Sequence, residues 1–72
     1  MKEKSTDVWT VVYKVHNEVP MAYSYYSKIE AETAKLTIEN SNGTQLVNGK
    51  EEVVGRINLD WVYLIPGRLF KN

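Results

Sequence analysis

The clearest regularity in the chain is alternation. Trp9, Val11, Tyr13 and Val15 stand two apart, with Thr10, Lys14 and His16 among the residues between them, the pattern of a strand with one face buried and the other toward water. A turn is expected at His16-Asn17-Glu18, then a second strand through Met21, Tyr23 and Tyr25. Pro20 belongs at the start or edge of that strand, because proline has no amide hydrogen to give to a ladder. In the second half, Gln45-Leu46-Val47 and Glu52-Val53-Val54 flank Asn48-Gly49-Lys50, a strong hairpin signal. Ile57, Leu59, Trp61, Tyr63 and Ile65 then alternate without a gap. They predict a long last strand, bent or interrupted near Asp60 and ended by Pro66-Gly67.

Between the hairpins the period changes. Ser27-Lys28-Ile29-Glu30 has the form of a capping box, in which serine and glutamate side chains satisfy two of the amides that a helix start leaves unpaired. Good helix formers follow from Glu30 to Leu36, and Gly43 stands where a helix stop can use it. The apolar phase fits poorly, since Ile29 and Leu36 fall on one side while Ala31, Ala34 and Ile38 fall nearly opposite. A rival reading ends the helix near Ala34 and makes Leu36, Ile38 and Asn40 one face of a strand turning at Asn42-Gly43. The longer helix is preferred, because cap and composition agree and because a helix commonly covers a small antiparallel sheet.

These elements predict a single α+β domain over 8–66, between a polar N-terminal tail at 1–7 and a C-terminal tail at 67–72. Its plan is hairpin, helix, hairpin (ββαββ-like), a four- or five-stranded antiparallel sheet with one helix packed on a face. The rival helix ending gives instead a nearly all-β small barrel. In size and pattern the plan is similar to many small accessory proteins of bacteria and their phages, a likeness that implies no particular activity.

Composition narrows the possible chemistry. Seventy-two residues allow one domain, and nine basic against nine acidic side chains leave no net charge, so nothing general draws the chain to nucleic acid or anionic lipid. Without cysteine there is no disulfide, thiol catalysis or thiolate metal site. The start lacks a basic-then-apolar leader, and no apolar run approaches membrane-spanning length; a soluble cytoplasmic protein is expected. Asn42-Gly43-Thr44 matches a glycosylation acceptor but has no consequence in that setting.

Few catalytic groups are present. His16 is the only histidine and sits at an expected turn, while most carboxylates read as solvated charge. Asp60 is the exception, because it interrupts the most apolar stretch; a bulge or turn carboxylate bonded to nearby backbone amides is the expected explanation. No phosphate-cradling glycine motif and no nucleophile elbow occurs. The chain is accordingly read as a non-enzyme with no cofactor, no metal and no small-molecule substrate.

The aromatic residues remain. Trp9, Tyr13, Trp61 and Tyr63 share the phase of Val11, Val15, Leu59 and Ile65, and are expected inside. Tyr23 and Tyr25 share a phase that Tyr26 opposes, so one of these sets looks outward. Tyr23, Tyr25 and Tyr26, with Leu69 and Phe70 of the C-terminal tail, are the candidate protein-interaction residues. The expected function is a non-catalytic interaction or assembly module that self-associates as a homo-oligomer or binds a protein partner. The alternative is a single-stranded nucleic-acid binder, which would use Tyr26 for stacking and Lys14, Arg56, Arg68 and Lys71 for phosphates; the neutral total charge disfavours it.

Overall fold

The computed structural model describes residues 4–71. In order it contains β1 (Lys4–Val15), β2 (Met21–Tyr25), α1 (Lys28–Asn40), β3 (Gln45–Val47), β4 (Val53–Arg56) and β5 (Leu59–Lys71). The fold is α+β with antiparallel strands and one helix, and no closed barrel forms among the described residues. The five strands divide between two sheets rather than one. A three-stranded sheet has the order β2-β1-β5, and β3 pairs with β4 alone.

β1 and β2 form the expected first hairpin, in a register that sets Trp9 opposite Tyr25 and Tyr13 opposite Met21. The chain reverses at Asn17, whose φ of 65° is a left-handed conformation that asparagine tolerates. Ser27 caps α1, its hydroxyl accepting from the Glu30 amide at 3.4 Å; only this serine half of the capping box forms among the described residues. The helix runs on to Asn40, so residues 35–40 are helical and the strand alternative falls. Gly43, at φ 85°, then redirects the chain, and its amide donates to the Ile57 carbonyl at 2.7 Å.

The poor apolar phase of α1 has a structural reason. Its small side packs on the sheet, with Ala31 fully buried and Ala34 and Ile38 half-buried. Ile29 and Leu36 are left outward. α1 lies against β1, β2 and β5, but thirteen residues of helix reach only about 20 Å, whereas the twelve residues of β1 reach about 40 Å. Half of the sheet's length therefore has no helix over it.

Both expected tails are corrected by the register. Lys4 pairs with Lys71 and Val8 with Gly67, so residues 4–8 and 67–71 form a two-stranded ribbon running past the end of β2. Met1–Glu3 and Asn72 lie outside the described residues. Pro66-Gly67 does not end β5, which is an edge strand where a missing amide hydrogen is tolerated. The polar Ser5-Thr6-Asp7 stretch carries no alternation, because backbone pairing rather than burial holds this arm.

At the other end, the β3–β4 hairpin closes through Asn48, whose side-chain oxygen accepts from the Lys50 and Glu52 amides at 2.8 and 3.1 Å. Its left-handed residue is Glu51, at φ 60°, and not Gly49. Body and projections together extend 60 × 22 × 21 Å. The radius of gyration is 16.3 Å, against about 11 Å for a compact chain of this length.

Candidate protein-interaction surface

The two faces of the three-stranded sheet follow from register. On one lie Trp9, Val11 and Tyr13 of β1, Met21, Tyr23 and Tyr25 of β2, and Val62, Leu64 and Pro66 of β5. This is the face beneath α1, where Val11 is fully buried. Tyr13 and Tyr23 stack with ring centres 6.3 Å apart. Together with Tyr25, Ala34, Thr37 and Ile38 they line an open hollow of about 370 Å³. Burial, and after it the neighbouring Tyr23, pushes the Tyr13 hydroxyl above its usual range.

On the opposite face lie Thr6, Val8, Thr10, Val12 and Lys14 of β1, Ala22 and Ser24 of β2, and Trp61, Tyr63, Ile65, Gly67 and Leu69 of β5. Nothing in the described chain covers it. Tyr63 is 59% exposed and Ile65 52%, and the Trp61 and Tyr63 rings lie 5.6 Å apart. The expectation that Trp61, Tyr63 and Ile65 share the interior with Trp9 and Val11 is therefore corrected. The cause is a bulge: Lys14 pairs with Trp61 while Val15 pairs with Leu59, which makes Asp60 an extra residue in β5. One extra residue reverses the facing of everything beyond it.

Asp60 itself bonds to side chains rather than to backbone amides. Lys14 Nζ donates to one carboxylate oxygen at 2.7 Å, and His16 Nδ1 lies 3.2 Å from the other. The Lys14 ammonium, with His16 as a lesser contributor, holds the Asp60 carboxyl below the usual carboxylate range. His16 and Asp60 thus meet, but on the surface. Neither lines the hollow under α1 or the second one, beside Asp7, Trp9 and Arg68. No group of three His, Asp or Glu side chains suited to a metal ion occurs among the described residues.

The five candidate contact residues do not form one patch. Tyr23 and Tyr25 face the helix side, Tyr23 still half-exposed. Tyr26, just beyond β2, is 68% exposed. Leu69 belongs to the open face at the far end of the ribbon, and Phe70, 59% exposed, points to the other side. Sequence reasoning missed Tyr63, Ile65 and Val12, the centre of the open face. The available signal was Asp60, whose position in an apolar run marks the bulge.

No family model, curated protein or solved structure matches the chain. Among the described residues, no helix is long and apolar enough to cross a membrane.

Proposed function

We propose that the protein is a non-catalytic interaction module that works by self-association, a cytoplasmic accessory protein whose open sheet face is the contact surface. One observation carries this reading: the chain leaves an apolar sheet face without cover. Val11 and Ala31 are the buried hydrophobic residues among those described, a small core for any domain expected to stand alone. The accessible surface is 5925 Å², against roughly 4,600 Å² for a compact monomer of this mass. A second protein surface on the open face would remove part of that excess.

Charge pairing weighs against the nucleic-acid alternative. Lys14 is held by Asp60 and Arg68 lies beside Asp7, so two of the four basic residues that would meet phosphates already have a carboxylate partner. Sedimentation equilibrium over a concentration series is the direct test, with a parallel series containing short single-stranded oligonucleotides at low salt. The expected result is a mass rising from 8.3 kDa toward twice that value, indifferent to oligonucleotide. A mass that stays at one chain throughout removes the reading, and one that rises only with oligonucleotide replaces it with the alternative.

A further inference from the structure

We infer that the open face docks against the same face of a second copy, with strands running antiparallel across the contact, so that Tyr63 of each chain seats over the partner's Gly67. This rests on the self-association proposed above and gives it a geometry. The relief of the face supplies the argument. Along β5 the open-face positions read Trp61, Tyr63, Ile65, Gly67 and Leu69, with two large rings at one end and, toward the other, a notch one side chain wide. Across the notch stands Val8, and a Cβ built on Gly67 would meet only Val8 Cγ2, at 3.9 Å. The notch is real space on the surface.

Ile65 is the midpoint between the bulky and the empty position, and it stands in register with Thr10, which pairs in turn with Ser24. A two-fold axis lying along this row, across all three strands, brings ring over notch twice and sets Val12 over the partner's Val8. Polar groups on the axis are already satisfied, since the Thr10 and Ser24 hydroxyls bond each other at 2.8 Å. Within the contact, from the Thr6–Leu69 row to the Lys14–Trp61 row, the charged residue is Lys14, at the rim and paired with Asp60, while Lys4 and Lys71 stand at the last register position of the same face, beyond the contact, so closure buries no unpaired charge. The outer side of α1 offers no such surface. There Ile29 and Leu36 stand among the Lys28–Glu32 and Lys35–Glu39 pairs.

Length separates this arrangement from its nearest rival. With the axis along the strands instead, β5 would lie over the partner's β2, which ends at Tyr25 and leaves Gly67 and Leu69 uncovered. The antiparallel arrangement covers the ribbon as well. Its flat contact is roughly 350–400 Å² per copy, from strand spacing and rise, before side-chain relief is added. That is about half of the roughly 800 Å² per partner of a standard interface, so the association is a weak one that depends on concentration.

Gly67→Leu separates shape from general stickiness. It adds apolar surface where the fold has room, so an unspecific hydrophobic contact would tighten, whereas filling the notch should weaken association by about tenfold or more. Tyr63→Ala should weaken it similarly, and Tyr63→Ala combined with Gly67→Leu should recover much of the loss, because protrusion and notch then exchange places. Circular dichroism confirms that each variant is folded. An NMR dilution series on the unaltered protein gives the answer without any substitution: amides of Val8, Val12, Tyr63, Ile65 and Gly67 should move, and those of Ile29 and Leu36 should not. Association unchanged or strengthened by Gly67→Leu, or dilution shifts confined to α1 or Ala22, overturns this arrangement while self-association stands. A chain that never associates overturns both.

Discussion

Val11 and Val12 are neighbours in the chain and differ in nearly every physical respect. Val11 points under α1 and has no accessible surface; Val12 points to the open face, opposite Tyr63, and is half-buried by strand neighbours alone. The same strand, with similar side chains, therefore has one face finished within the chain and one that is not. In a small protein the number of helices decides this, because a sheet of this length has two faces and only one helix is available. An apolar open face stays in water only at a cost, which a second protein surface on it would relieve.

Aspartate placed at each valine gives the sharpest contrast. Val11→Asp buries a carboxylate with no partner beneath α1, a change on the order of 3–5 kcal/mol, enough to unfold a domain with so small a core. Val12→Asp should leave the monomer folded and abolish association. Circular dichroism and sedimentation on the two variants check this, and equal stability losses would mean that the faces are not different in kind. A smaller effect should follow from Ser27→Ala, which removes the cap that starts the covering helix and should cost about 1 kcal/mol in denaturant unfolding. It should leave the association of the folded fraction unchanged.

The smallest effect concerns the rim of the open face. Because Lys14 lowers the Asp60 carboxyl below its ordinary range, the pair's contribution is complete above about pH 4 and fades as pH falls through the lowered value in the folded protein. Wild type and Asp60→Asn should therefore differ in melting temperature at neutral pH and converge in acid. A difference that persists unchanged in acid would show that Asp60 matters for the shape of the bulge rather than for its charge.

The covered half of the molecule was legible in the sequence. Trp9 to Val15 alternates, Pro20 and Ser27 mark element starts, and the awkward phase of Ile29 and Leu36 against Ala31, Ala34 and Ile38 corresponds to a helix that packs by its small side. The rest was obscured for two physical reasons. Burial writes a period into a strand, and the ribbon ends at Ser5–Asp7 and Arg68–Phe70 are held by ladder pairing without burial. Phase can also be carried along a strand only while the ladder is regular. Past Asp60 it no longer matches, and Trp61, Tyr63 and Ile65 change sides together. The division of five strands into two sheets left no mark in the sequence, since local hairpin signals do not say which hairpins join.

Pro66 bears on how far the proposed assembly can go. β5 is an edge strand, and edge strands add further strands by backbone pairing, a contact that leaves a fresh edge each time and so extends without limit into fibres. A proline at Pro66 within β5 breaks the row of donors such a polymer needs, and Pro20, immediately before β2, keeps that strand's own donor row from lengthening backward. A face contact about a two-fold axis is satisfied once two copies have met. The position of these prolines favours a finite particle over an endless one.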